Sequence, residues 1–236
     1  MTNKKKHPWK ICPASSFYVK GHYKMINGKK RYWAAHCRES RNKKEILNFD
    51  EILEISKRFK NEKLNMPKSY DFNVKDNLGS KFDLLIAGWL QYWTDIFGNN
   101  SNITVDFVKV LIMTESSFQK NANAKIPNST YWAIGLMQIT DYTFKLIHEN
   151  SKELKDHAFS INREDLYDPN VNISVGIRWL FRKREIAKYF LKKEPSPLEL
   201  AEEYKGIRND KSVKAQKQRR IFIENLKKYE NSKKSK

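Results

Sequence analysis

Residues 104–118 read Thr-Val-Asp-Phe-Val-Lys-Val-Leu-Ile-Met-Thr-Glu-Ser-Ser-Phe. Val105, Phe107, Val108, Val110, Leu111, Ile112 and Met113 leave little polar face, which predicts a helix buried nearly all round. Thr104 is placed to cap its N-terminus, and Asp106 falls in the first turn, where the helix dipole favours an acid. Glu115 extends the stripe of Val105, Val108 and Ile112. A carboxylate at the end of a buried stripe is costly unless paired or neutralised, and burial raises its pKa. A carboxyl that stays protonated near neutral pH can act as a general acid. On spacing alone, a Glu that turns to solvent or pairs with a buried Arg fits as well.

The surrounding residues narrow the choice. Thr114-Glu115-Ser116-Ser117-Phe118 is followed, twenty residues on, by Ala133-Ile134-Gly135-Leu136-Met137-Gln138-Ile139-Thr140. Asp168-Pro169-Asn170-Val171-Asn172-Ile173-Ser174-Val175-Gly176 comes next, and then Ala201-Glu202-Glu203-Tyr204-Lys205-Gly206. These segments resemble, in order and with similar gaps, the ESSF, GxMGLMQ, DPxxNIxxG and AYNAG motifs of the SLT-type lytic transglycosylases. That family is related to goose-type lysozyme. The resemblance covers roughly residues 80–225. It implies a mainly α, lysozyme-like helical domain. One position departs from it: Lys205 stands where the family has Asn, so sugar contacts there are not carried over.

The resemblance implies cleavage of the β-1,4 bond between N-acetylmuramic acid and N-acetylglucosamine in peptidoglycan, with Glu115 as general acid and then base. By the same match, Ser116 would hold the helix end or a substrate group. Gly135 would allow close backbone approach, Met137 and Gln138 would line the cleft floor, and Tyr204 would approach the saccharide or orient Glu115. Met137 reads equally well as plain core, and Trp132 as either a sugar-stacking or a structural residue. Asn172 and Gly176 read as structural. A hydrolytic lysozyme usually needs a second carboxylate to activate water. Asp141, Glu149, Glu164, Asp165 and Asp168 follow the loop, none with a spacing that marks it as that base, and Asp168 reads better as an N-cap. Transglycosylation is therefore favoured over hydrolysis. No metal or organic cofactor is implied.

Outward from this body, helices are expected over residues 81–97, 142–150, 168–188, 197–204 and 212–229, with 121–138 as a loop. Gly98-Asn99-Asn100 is expected to close the first of these helices. Residues 45–60 read as an amphipathic helix with Ile46, Phe49, Leu53 and Phe59 on one stripe, and 61–80 as a polar linker. Residues 17–33 read as a hairpin with strands at Phe17-Tyr18-Val19 and Arg31-Tyr32-Trp33, turning at Asn27-Gly28. The domain reading is thus a basic extension at 1–44, a helix and linker at 45–76, a lysozyme-like domain at 77–230 and a basic tail at 231–236.

Charge separates these parts. Of the net +19, residues 1–44 carry 13 Lys and Arg against one acid, and residues 205–236 carry 12 against three. The basic ends would be drawn to polyanions, while the body is nearly neutral. No run approaches the roughly 18 apolar residues needed to cross a bilayer. No apolar stretch follows the basic residues 1–10, so a standard cleavable signal is not expected. Access to the wall would then come through phage lysis, carriage in a virion or a secretion machine. Cys12, His22, His36 and Cys37 have no standard zinc spacing. Two free thiols are the default reading, with a Cys12–Cys37 disulfide as the alternative in an oxidising compartment. Basic residues interleaved with Tyr and Trp give the N-terminal module an expected anchoring role toward wall glycan, nucleic acid or a protein partner. A non-catalytic wall- or nucleic-acid-binding protein on the same scaffold is the competing reading.

Overall fold

The computed structural model describes residues 9–40, 43–98, 102–126, 129–154 and 156–234. Strands β1 (Ser16–Val19), β2 (His22–Ile26), β3 (Lys29–Trp33), β4 (His36–Glu39) and β5 (Ile46–Asn48) come first. Helices α1 (Phe49–Arg58), α2 (Leu78–Lys81), α3 (Asp83–Phe97) and α4 (Val105–Ser116) follow. Then come β6 (Asn123–Lys125), β7 (Trp132–Ile134), β8 (Ile139–Thr140), α5 (Asp141–Ile147), β9 (Ala158–Ser160), α6 (Pro169–Leu191), α7 (Pro197–Lys205) and α8 (Val213–Lys234). The fold is mainly α, as the sequence implies, with small strand pairs around a helical body.

Helix α6 is the axis of this body. The Asp168 carboxylate accepts from the backbone N–H of Asn170 at 2.8 Å and of Val171 at 3.3 Å, and Pro169 opens the helix without needing a donor. Every residue from Val171 to Phe181 is buried, with α3, α7 and α1 packed around it. Helix α3 contributes the fully buried Trp89 and Trp93, and the Trp93 indole donates to the Ser174 carbonyl of α6 at 2.9 Å. Helix α4 packs between α3 and α8, and the Thr104 hydroxyl caps it by accepting from Phe107 N at 3.1 Å. Its buried Lys109 is held by Asp83 and by the Lys68 carbonyl, each at 2.9 Å. An ammonium so enclosed needs both the opposite charge and the extra acceptor.

Several expectations are corrected here. The 45–60 helix begins only at Phe49, because Ile46–Asn48 is a strand paired in parallel with Ala158–Ser160. Its core face is Ile52, Ile55 and Phe59, whereas Leu53 is only half-buried. Residues 61–80 are no loose linker, since Pro67 and Phe72 are buried and Leu64, Tyr70 and Val74 pack on the core. The expected loop 121–138 contains the three-stranded sheet β6–β7–β8, although Pro127 and Asn128 lie outside the described residues. Asn99 and Asn100, expected to close α3, also lie outside them, and Gly98 ends that helix with φ 86°. Helix α8 runs on to Lys234, and Lys233 pairs with Asp106 of α4 rather than fraying into solvent.

The N-terminal module is one long ribbon. Asn27 and Gly28, with φ of 49° and 73°, make the expected turn, but they join β2 to β3. Strand β1 pairs with β4, so Phe17 faces Arg38 and not the 31–33 strand. The two pairings keep one register through the ribbon: Ser16 faces Glu39, Val19 faces His36 and His22 faces Trp33. The cysteines are not free. Cys12 and Cys37 form a disulfide, which closes the base of the ribbon and leaves no thiolate for zinc. The base is sewn to the N-terminus of α1. Asn48 donates to the Tyr18 carbonyl at 2.7 Å, Asp50 accepts from Lys20 N at 3.2 Å, and Glu51 accepts from Tyr18 N at 3.3 Å. Trp9 is buried edge-on to Phe59 and donates to Asp95 at 2.6 Å, so this segment belongs to the main core. The distal ribbon is exposed, with Tyr23, Met25, Lys30 and Tyr32 on one face and Lys24, Arg31, His22 and Trp33 on the other.

Two outcomes follow from this packing. Gly88 lies against the buried Phe59 ring, which Trp9 and Trp89 hold edge-on, and a methyl there would collide with it. Gly88→Ala is expected to destabilise by about 1–3 kcal/mol from overpacking, outweighing the ~1 kcal/mol that alanine adds in helix propensity. A higher urea midpoint for the variant would contradict the packing described. The second outcome concerns Glu51, whose carboxyl is buried beneath the ribbon and pushed up to about 7 by burial, against the pull of Lys10 and Arg58. The folded state therefore binds a proton that the unfolded chain, near 4.5, has released. This group's contribution to stability is thus fullest below about 4.5 and is lost as pH rises to about 7. Glu51→Gln should flatten the decline in unfolding free energy across that window, and an unchanged slope would exclude Glu51 as its source.

Candidate active site

Helix α4 stops abruptly. Ser117 and Phe118 both adopt left-handed backbone, with φ of 50° and 61°, and the turn drives Phe118 into the core. Glu115 therefore sits in the last turn of a buried helix, facing α7. Its Oε1 lies 2.5 Å from Lys205 Nζ, with the two side chains 12% and 10% exposed. Burial raises the Glu115 carboxyl above its ordinary range, and the Lys205 ammonium opposes that rise. The Tyr204 hydroxyl is held far above the usual phenol range by burial and by the Glu115 charge, so it is a neutral donor.

The loop 135–138 faces this pair and is fixed from three helices. From α4, the Ser116 hydroxyl donates to the Leu136 carbonyl at 2.8 Å, with the Ile112 carbonyl 3.2 Å away. From α7, the Tyr204 hydroxyl donates to the Met137 carbonyl at 2.8 Å. From α6, the Asn172 amide accepts from Met137 N at 2.7 Å and donates to the carbonyls of Ile134 at 3.0 Å and Leu166 at 2.8 Å. Gly135 has φ 75°, and a Cβ there would collide with the Asn172 amide. Gln138 is left-handed at φ 48°, and its Nε2 donates back to the Gly135 carbonyl at 2.9 Å.

The residues singled out in the sequence thus fall into two groups. Glu115, Tyr204, Ser116, Gly135, Met137 and Gln138 converge on one place. The Met137 side chain is fully buried against Gly176, however, so it underlies the loop rather than lining a cleft floor. Ser116 is also buried, with its hydroxyl engaged by backbone, and it holds the helix end. Trp132 is 37% exposed on β7, and its N–H is bound by Asp141. Four of the five carboxylates that follow the loop have local partners. Asp141 takes Trp132 N and Arg163, Glu149 takes the Ser160 hydroxyl, Asp165 takes Asn162 N, and Asp168 caps α6. The Lys205–Glu115 pair was not foreseen, and its only signal was a cation in place of the motif's Asn. A separate cavity of about 420 Å³ is lined by Asn48, Asp50, His148, Asn162 and Asp165, and Glu115, Tyr204 and the 135–138 loop are not part of its lining.

Asn172 is the test of the loop's support. Asn172→Leu strands two carbonyls and one N–H in the interior, at about 1–3 kcal/mol each. The variant should lose at least about 3 kcal/mol of unfolding free energy in urea titration. A loss within about 0.5 kcal/mol, the range of an ordinary surface change, would mean that the loop is held elsewhere.

Residues 95–192 match the family described as Transglycosylase SLT domain. The matched segment contains Glu115, the 135–138 loop and the whole of α6, and it ends before Tyr204 and Lys205. No curated protein and no solved structure matches the chain. Over residues 95–192 this chain is similar to the transglycosylase SLT domain family.

Proposed function

We propose that this protein is a peptidoglycan lytic transglycosylase with Glu115 as its general acid and base. The observation that carries the reading is the Glu115 carboxyl at the end of a buried helix, raised by burial and facing a loop clamped from three sides. In the reaction, protonated Glu115 gives its proton to the glycosidic oxygen. The bond from that oxygen to C1 of the N-acetylmuramoyl residue breaks, and the N-acetylglucosamine residue leaves as its C4 alcohol. The Glu115 carboxylate then takes the proton of the muramoyl C6 hydroxyl as O6 bonds to C1, closing a 1,6-anhydro ring. The proton count balances, and one group can serve both steps because burial favours its acid form and Lys205 its anion. The substrate's own N-acetyl group can stabilise positive charge at C1, as in other substrate-assisted glycosidases.

Gln138 and Tyr204 border Glu115 on the glycan side of this reading, while Ser116, Gly135 and Met137 set the loop's shape. Trp132 offers a ring for a sugar to stack on. A hydrolytic muramidase is the second reading. It is disfavoured because Asp141, Glu149, Asp165 and Asp168 already serve local backbone or side-chain partners. The disulfide is at home in an oxidising compartment, in keeping with work at the wall. No helix among the described residues is long and apolar enough to cross a membrane. The projecting ribbon, with aromatic and basic residues on both faces, is read as the part that recruits the enzyme to wall polymer or to a phage or secretion component. Nucleic acid is the less favoured partner.

The reading is tested by digesting purified peptidoglycan with the wild type and with Glu115→Gln and analysing the products by mass spectrometry. Wild type should release anhydro-muropeptides, and the folded variant should release them roughly 10²- to 10⁴-fold more slowly. Absence of products from folded wild type would return the protein to the class of binding modules on a lysozyme-like scaffold.

A further inference from the structure

Lys205 is committed to Glu115. The acids beside it on α7 are already engaged: Glu202 with Arg219, and Glu203 with Lys183 of α6 at 3.3 Å and with Arg208 at 3.2 Å. Among the described residues, Lys205 is the charged group that acts on Glu115. Tyr204 is a neutral phenol bound to the Met137 carbonyl. The loop residues Gly135, Leu136, Met137 and Gln138 have no ionisable side chain. From α8, the Asn225 amide donates to the Thr114 hydroxyl at 3.2 Å. One ammonium, 2.5 Å from Oε1 and almost out of solvent, is thus the charge that opposes burial at this carboxyl.

We propose that Lys205 is a positioning residue for Glu115: its ammonium holds the carboxylate in a closed ion pair in the free enzyme and thereby limits the share of molecules ready to donate a proton. The inference rests on the transglycosylase reading and adds to it a control that this chain's own sequence supplies. A carboxyl in contact with an ammonium is a stronger acid once protonated, but fewer molecules carry the proton. The same ammonium stabilises the ionised Glu115 that exists between the two proton transfers, and it weakens that carboxylate as the base toward the C6 hydroxyl. Entry of a glycan oxygen at Oε1 has to displace or share the ammonium, which ties proton donation to occupancy of the site.

The test compares wild type with Lys205→Asn, Lys205→Met and Lys205→Arg, each shown to be folded. The alkaline limb of kcat/KM on isolated glycan strands reports the protonation of Glu115 in the free enzyme. Removal of an opposite charge in contact moves a carboxyl up by about one unit or more. The limb in the Asn and Met variants should rise by that amount, while the Arg variant keeps it near the wild-type position. Carboxyl-carbon NMR, with the Glu115 signal identified by its loss in Glu115→Gln, should show the same displacement without need of turnover. A limb and a titration that stay in place in folded Lys205→Asn would overturn the positioning role. A titration that moves while neither wild type nor variant cleaves glycan would uphold the ion pair and defeat the transglycosylase reading.

Discussion

One buried amide holds the candidate site together. Asn172 sits in the first turns of the central helix and makes three hydrogen bonds to backbone, at both ends of the segment that contains Met137. Those bonds satisfy groups that would otherwise be stranded in the core. They also set the loop's height over α6, where Met137 rests against Gly176. With the loop fixed, the Ser116 and Tyr204 hydroxyls find their carbonyls, and α7 is brought to the end of α4. The meeting of Lys205 with Glu115 follows from that approach, since Lys205 is the last residue of α7. Fold and site share one construction: a helix axis, a strained loop pinned to it, and two helix ends that converge on the loop.

Electrostatics decides what this construction can do. An isolated carboxylate in such a place would be expensive, so it must either take a proton or a counter-charge. Here both options bear on Glu115, because burial favours the acid form and Lys205 favours the anion. Glu51 under the ribbon and Asp83 beside Lys109 are raised by burial in the same way. Buried carboxyls are therefore a general feature of this body. What separates Glu115 from the others is its position at the C-terminal end of a helix, followed by the left-handed residues Ser117 and Phe118.

Local chemistry made much of the helical body readable. Thr104 and Asp168-Pro169 are cap signals that act within one turn, and each opens its helix in the structure. Glu115 was readable because it broke an apolar stripe. Less readable were features made by distant partners. Ile46–Asn48 looks helical by its own spacing, yet its hydrogen bonds go to a strand 112 positions away in sequence. Strands of two or three residues, such as Asn123–Lys125, carry too little alternation to be recognised. The Cys12–Cys37 bond requires the ribbon to fold back before the cysteines meet, and one ribbon register puts them there. Met137 read equally well as a contact residue or as core, and the helix beneath the loop, which the loop's own sequence does not reveal, makes it core.

The central claim is that a single carboxylate completes the reaction within the sugar, without water as nucleophile. Digestion of purified peptidoglycan in water enriched in ¹⁸O reads that claim directly in the mass of the new muramoyl ends. Ring closure by O6 predicts anhydro ends that carry no ¹⁸O. Reducing ends carrying one ¹⁸O would contradict it and would require a carboxylate that activates water.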